Sequence, residues 1–421
     1  MKIISRPVEI SQNIRAKDVR TVYYLVTTLR DLAMGFVAST YALFLLSKGL
    51  SIFQMNLVNT AFMLGNFVFE IPTGVYADFF GRKKSYIIHA GLLSLSGLVY
   101  FFSPTFAFFI IAELIAAVSF TFASGAIDAW LIDNVGENWI TRTDYIFSQG
   151  QVFSKIALIM GGIIGGYLGY INLTYPWLLV TLTGFVIVFV SIFYMQDDKP
   201  VRNTFGLRSG LKQMTAIAKD SFSYGLRNKV VLWLMIATFI SQLAFQPLNM
   251  FWAPRFNQMA GDQVKLMGWL WAGMSIMMII GSYLSRRLVE KKIDYWKIMV
   301  LSALFLTIPV IISSLGSVFT IAVGAFLIYE IGRGIDRPMK ISYINKYIPS
   351  DKRATLISFD SMMGKLAAAL GLVTFGYLAN KTSFSLSWLV SGLILLMLIP
   401  VYLNVRKKEL QAKNSIITHG V

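Results

Sequence analysis

The sequence predicts an all-α polytopic membrane protein, with twelve transmembrane helices in two pseudo-symmetric six-helix bundles. Three observations lead there. The 421 residues are 56% hydrophobic and only 14% charged, whereas soluble domains are roughly 45–50% apolar and about 25% charged. Apolar stretches of about 20 residues, the length of a bilayer-crossing helix, recur along the chain. Loops alternate between crowded and nearly empty in Lys and Arg. A soluble enzyme, a disordered chain and a fibrous protein are excluded together.

Apolar windows place the spans at 21–47, 52–76, 85–104, 106–132, 145–169, 174–195, 230–253, 264–285, 295–315, 317–338, 354–379 and 383–405. The first 20 residues are polar and mixed in charge, without the short apolar core of a cleaved signal peptide. The first span is therefore expected to act as its own insertion signal. The one long polar stretch, 196–229, opens on Asp197, Asp198 and Lys199 and continues with spaced basic residues. The expected organisation is an N-terminal six-helix bundle over 1–195, a cytoplasmic linker over 196–229, and a C-terminal six-helix bundle with its cytoplasmic tail over 230–421. The tenth span is the least regular, because Arg333, Asp336 and Arg337 crowd one end.

The net charge of +17 comes from 38 Lys and Arg against 21 Asp and Glu. In a soluble protein that balance suggests nucleic acid. Here 29 of the 38 cations fall on one side of the spans, and only Lys48, Arg255, Lys265 and Lys381 on the other. Positive residues stay inside, so both termini are expected in the cytoplasm of a multi-pass cell-membrane protein. The bilayer accounts for the charge and no nucleic-acid partner is needed. Cys is absent and His occurs only as His89 and His419, so neither a metal centre nor a disulfide framework is expected. His89 reads as a peripheral packing residue.

Internal repeats mark many transporters, and an offset of 210 residues aligns the fifth span with the eleventh. Lys155 falls on Lys365, Gly161 on Gly371, and Gly166-Tyr167-Leu168 on Gly376-Tyr377-Leu378. Gly125 and Asp128 resemble Gly334 and Asp336 at a similar offset.

The most specific stretch joins spans two and three: Gly74-Val75-Tyr76-Ala77-Asp78-Phe79-Phe80-Gly81-Arg82-Lys83-Lys84. Gly74 would admit a close helix neighbour, Asp78 a helix end or a cation, and Gly81 a tight turn. Arg82, Lys83 and Lys84 would anchor the cytosolic face. This loop resembles the signature G-x-x-x-D-x-x-G-R-[KR] of the major facilitator superfamily, with Tyr76 and Phe79 where that family often has Leu and Arg. With twelve spans, a basic central linker and inside termini, the resemblance covers essentially the whole chain.

The resemblance implies alternating access, and no cofactor. It makes this loop a conformational latch formed by Gly74, Asp78, Gly81, Arg82 and Lys83. The corresponding loop after span eight keeps Gly281, Arg286 and Arg287 but has Ser285 where the acid would fall. Span five holds Gly161-Gly162-Ile163-Ile164-Gly165-Gly166, similar to the G-P-x-x-G-G motif of proton-coupled drug exporters, with Gly162 in place of Pro. A plain small-residue packing face explains these glycines equally well. Span four has Thr121 where many such exporters carry an arginine four residues before a glycine.

Ionisable groups inside spans cost a few kcal/mol each on insertion scales and tend to mark function. The candidates for proton or substrate coupling are Asp31, Glu113, Asp128, Lys155, Glu330, Arg333, Asp336 and Lys365. Arg30, Glu70, Arg337 and Asp360 complete the set. Asp31, Lys155, Glu330 and Lys365 sit near mid-span, which pairs Asp31 with Lys155 and Glu330 with Lys365. Asp31 and Glu330 are the best placed to carry a proton. Asp128, Asp336, Arg337 and Asp360 lie toward the cytosol, where snorkelling lowers the cost. Glu330, Arg333 and Arg337 share a helix face, as do Glu113 and Asp128, 15 residues apart.

Span seven carries Gln242, Gln246 and Asn249 at i, i+4 and i+7, a polar stripe suited to a wet cavity or to bonds between helices. Trp130, Phe245, Trp252 and Trp271 are candidate aromatic walls. No nucleotide-binding G-x-x-x-x-G-K-[ST] loop is present, so ion coupling or facilitated diffusion must drive transport. The expectation is a secondary active transporter moving a small molecule by alternating access, with protons as the coupling ion for efflux of drug-like compounds. The resemblance favours a monomer. Uptake of a sugar, organic acid or peptide in the same fold would want denser hydrogen-bonding groups than span seven shows. A membrane enzyme or scaffold would want a convergent nucleophile and base, which the short outer loops do not offer.

Overall fold

The computed structural model describes residues 5–136, 142–196, 219, 223, 228–347 and 353–419. The linker expected over 196–229 lies almost wholly outside the described residues. Helices make up most of the described chain and no strand occurs among the described residues. Helices α1 (Ser5–Ala38) and α2 (Tyr41–Ser47) form one bent element, turned by 46° between the stretch from Asp18 and α2. Then come α3 (Ile52–Phe80), α4 (Arg82–Phe102), α5 (Phe106–Ala123), α6 (Ala126–Asn134), α7 (Thr143–Ile171) and α8 (Tyr175–Tyr194). The later helices are α9 (Lys229–Met259), α10 (Val264–Glu290), α11 (Tyr295–Leu315), α12 (Phe319–Tyr347), α13 (Arg353–Lys381), α14 (Phe384–Leu396) and α15 (Leu398–His419).

Among the described residues, with α5–α6 and α14–α15 each taken as one span, ten spans are long and apolar enough to cross a membrane, or eleven with the bent α1–α2 pair. The twelfth expected span is α12, whose 29 residues suffice in length but carry Glu330, Arg333, Asp336, Arg337 and Lys340. Its charges, not its length, set it apart. Phe185, Phe189 and Phe193 stand exposed four residues apart on α8, a face that only lipid can cover at acceptable cost.

Local chemistry marks the helix ends. Gly81 at φ 102° separates α3 from α4, and Gly125 at φ 70° separates α5 from α6; both angles suit glycine best. The Asn228 side chain accepts from the amides of Val230 and Val231 to cap α9, and Ser383 accepts from Leu386 to cap α14.

The chain divides into two compact units. One comprises Met1–Lys48, Gly65–Leu211 and Val264–Trp271, the other Gly49–Leu64, Lys212–Gln263 and Ala272–Val421. In the first, α1 packs on α7, and α4 on both α5 and α8. In the second, α9 packs on α13, and α11 on α12, α14 and α15. The same span-to-span pairings thus recur inside each unit, as the 210-residue repeat requires.

The glycines of α7 form two adjacent seams of the first unit. A Cβ at Gly161 would stand 2.6 Å from the Leu32 carbonyl and 2.9 Å from the Gly35 Cα, and one at Gly165 would strike the Phe36 carbonyl. One residue around the helix, Gly162 lies under the Trp271 ring, and a Cβ at Gly166 would stand 2.8 Å from the Gly268 amide. Packing accounts for every glycine of the run.

Arg255, expected in an outer loop, is instead buried in the last turns of α9 at 5% exposure. Its guanidinium donates to the carbonyls of Ser313 (2.8 Å), Ser314 (3.1 Å) and Gly316 (3.4 Å), and to the Ser385 hydroxyl, and lies 4.9 Å from the Trp388 ring. The last carbonyls of a helix lack internal partners and attract a cation; α11 ends at Leu315. Arg255→Met is expected to lower stability by about 2 kcal/mol, read as a lowered thermal midpoint of the detergent-solubilised protein, with Arg255→Lys retaining part of it.

Candidate functional site

The ionisable groups inside the helices gather into separate clusters. In the first unit Arg30 and Asp31, adjacent on α1, pair at 2.9 Å with side chains 25% and 18% exposed. The partner of Asp31 is this neighbour rather than the expected Lys155, which is exposed. Around them, the Tyr23 hydroxyl donates to Asp128 at 2.9 Å and the Tyr86 hydroxyl to the Val26 carbonyl at 3.3 Å. His89 is not peripheral: it is fully buried, with Nδ1 2.9 Å from the Ser119 hydroxyl and carbonyl.

Gly125, at φ 70°, interrupts the helix between Glu113 and Asp128; Glu113 is buried and Asp128 exposed. Glu113 sits in an aromatic cage. Its two carboxylate oxygens accept from Tyr41 and Tyr100 at 2.7 Å each. Trp177 stacks on Tyr100 with ring centres 3.7 Å apart, and Phe44 and Phe109 close the edges. Glu113 is 6% exposed, and no cation forms an ion pair with it among the described residues.

The second unit repeats the theme with more charge. Glu330, at 0% exposure, pairs with Arg333 one turn along α12 at 3.1 Å. Arg333 lies 5.4 Å from the Phe245 ring and 5.8 Å from that of Tyr329. The cation expected opposite Glu330 was Lys365; the guanidinium of its own helix takes the place. Arg337, expected on the same face, is exposed. Asp336 does not snorkel: at 2% exposure it pairs with Lys340 at 2.7 Å and accepts from the Tyr402 hydroxyl at 2.7 Å. Lys340, one of the 29 cations that the sequence puts on the basic side of the spans, is buried and also donates to the Ser241 hydroxyl at 2.7 Å.

The polar stripe of α9 is divided. Asn249 is exposed and Gln242 half-buried. Gln246 is 4% exposed, donates to the Gln242 carbonyl at 2.9 Å, and packs beneath Gly371 of α13. Only part of the stripe is available to a cavity. Of the aromatic wall candidates, Trp130 is buried and donates to the Gln196 carbonyl at 3.0 Å, so it belongs to the core.

At the expected latch, Arg82 pairs with Asp133 of α6 at 3.0 Å. Asp133 carries no marker in the sequence beyond its charge. Asp78 is exposed on the last turn of α3. Gly74 does not serve a close contact here, since a Cβ there meets nothing within 4 Å among the described residues. Its counterpart Gly281 does: a Cβ there would strike the Ile331 carbonyl, and Gly334 meets the Met278 carbonyl in the same crossing.

The family model of the Major Facilitator Superfamily matches residues 23–336 and 296–418. An uncharacterised MFS-type transporter of Bacillus subtilis, YxaM, is 27% identical over 92% of this chain and 96% of its own. The class H tetracycline resistance protein of Pasteurella multocida is 24% identical over 81% of this chain and 84% of its own. Among solved structures, the nucleoside transporter NupG superposes with a TM-score of 0.78 at 13% identity, covering 92% of this chain and 99% of that one. With a family match over nearly its whole length and the helical fold to go with it, the chain belongs to the Major Facilitator Superfamily and is a multi-span membrane transporter, not an enzyme.

Proposed function

We propose that the protein exports an amphipathic, drug-like compound in exchange for protons, as a monomer in the plasma membrane with both termini cytosolic. The bundles 1–195 and 230–421 would act as the moving halves about a midplane site, with Gly74, Asp78, Gly81, Arg82 and Lys83 as the latch. The observation that carries proton coupling is Glu113, a buried carboxyl held by two phenols in an aromatic cage. An acid so placed exchanges a proton without breaking an ion pair, whereas Asp31 and Glu330 are each tied to an arginine. Those pairs, with Asp128, Lys155, Asp336 and Lys365, would sense substrate and position helices. Gln242 and Asn249 would present polar groups to it, with Gln246 supporting them from the helix interface. The tetracycline resistance relative supports the export direction and the basic loops support the orientation.

Inverted vesicles with an imposed pH gradient test this reading. Wild-type protein should accumulate lipophilic cations or tetracycline-like compounds against their gradient. Glu113→Gln should lose most of that accumulation, about tenfold or more if one proton carrier is removed, while still exchanging labelled for unlabelled substrate. Export that is insensitive to the gradient, or uptake of polar metabolites by cells with no export of the drug panel, would rule the reading out.

A further inference from the structure

A polar pocket lies in the second unit. A cavity of about 330 Å³ opens where the α10–α11 turn meets the end of α12 and the middle of α15. These segments belong to the heavily basic side of the spans. Trp296 and Tyr295 form one wall, and Tyr343 stacks on Tyr295 with ring centres 5.7 Å apart and planes within 13°. Three cations line it: Lys292, Lys346 and Arg406. The Arg406 guanidinium carbon lies 4.0 Å from the centre of the Trp296 ring, and Lys346 stands 5.7 Å from the Tyr295 ring.

The two acids of the pocket are engaged. Asp294 pairs with Lys297 at 3.2 Å, while Glu409 accepts from the Tyr343 hydroxyl at 2.6 Å and lies 3.8 Å from Lys346. Lys292 enters from a left-handed backbone, φ 58°, closed by its amide donating to the Val289 carbonyl at 2.9 Å and that of Ile293 to Leu288 at 3.1 Å. Non-glycine residues adopt that conformation rarely, and here it sets a lysine at the mouth of the pocket.

We infer that this pocket binds the phosphate of an anionic phospholipid headgroup. A guanidinium fixed on an indole keeps its N–H edge for an oxyanion. The ammonium groups of Lys292 and Lys346 line the same pocket. Trp and Tyr at a basic span end are the groups that settle at the headgroup level of a bilayer. A lipid headgroup, unlike a free phosphate, is held at the level of the span ends by its own acyl chains, which favours it as the source. An occupied pocket would tie the α10–α11 turn to α12 and α15. The inference is independent of the transported substrate and of its direction.

The experiment uses the full chain in detergent, relipidated with phosphatidylglycerol or with phosphatidylcholine, read by native mass spectrometry and thermal midpoint. Wild-type protein should retain phosphatidylglycerol and gain thermal stability from it, with no such gain from phosphatidylcholine. Arg406→Gln and Lys292→Gln should each weaken retention about fivefold, the effect expected of one surface cation on an anionic lipid. Lys292 is exposed on its turn, so its variant keeps the test valid if the Arg406 variant does not fold. Arg286→Gln, 78% exposed outside the pocket, removes the same charge and should leave retention unchanged. Equal weakening by Arg286→Gln would reduce the effect to diffuse surface charge and overturn the site. Stabilisation by inorganic phosphate or glycerol 3-phosphate matching that of the lipid would overturn the lipid assignment.

Discussion

Arg333→Leu is expected to lower stability by about 3–5 kcal/mol, because it strands a carboxylate at 0% exposure without its cation. The cost is set by burial rather than by attraction. Two exposed charges at 3.1 Å would contribute well under a kcal/mol; here the acid has been taken out of water, and Arg333 is what makes that tolerable. The two single variants should therefore differ. Glu330→Gln leaves a guanidinium that is still 23% exposed and lies near the rings of Phe245 and Tyr329, so its loss should be the smaller one. The double variant Glu330→Leu with Arg333→Leu should regain most of the stability, since an apolar pair of similar volume replaces a buried ion pair at little cost. If the pair also senses substrate, the double variant stays inactive although folded. Thermal midpoints in detergent and vesicle transport separate the two outcomes. A single Arg333→Leu variant as stable as wild type would show that Glu330 is not held by this pair.

The sequence carries the spans plainly, because hydropathy over about 20 residues integrates a property that every crossing helix must have. It carries the buried charges as well, since each is an exception within an apolar run. Their partners are harder to read. Depth and repeat position suggested a lysine on another helix for Asp31 and Glu330, yet the partners are residues one and three positions away on the same helix. Local spacing was the better guide, because an adjacent side chain needs no tertiary approach to form the pair.

The cage of Glu113 was invisible for a different reason. Tyr41 and Tyr100 are neutral, lie 72 and 13 residues away, and look like any other aromatic in a chain with 19 tyrosines. Arg255 was misplaced because a cation at the end of an apolar window resembles a loop residue; only the arrival of the last α11 carbonyls shows its use. Gly125 hid a helix break, since glycine in an apolar run is equally compatible with close packing and with the left-handed backbone it adopts.

Gly165→Ala tests which glycines are structural, and it is expected to destabilise although alanine is the better helix former. Alanine gains up to about 1 kcal/mol over glycine within a helix. At Gly165 the added methyl would strike the Phe36 carbonyl, and at Gly161 it would stand 2.6 Å from that of Leu32. A backbone carbonyl has no rotamer to escape into, so α1 itself must move. Overpacking of that kind costs about 1–3 kcal/mol or more, which exceeds the propensity gain and reverses the sign. Gly165→Leu should yield little folded protein. Gly74→Ala provides the opposite case, because nothing lies within 4 Å of the new methyl. Its thermal midpoint should hold or rise. Any loss of transport in Gly74→Ala would then come from a conformation other than this one, in which the latch helix makes the close approach that its glycine permits. Equal midpoints for Gly165→Ala and Gly74→Ala would mean that the α1–α7 seam is looser than these distances require.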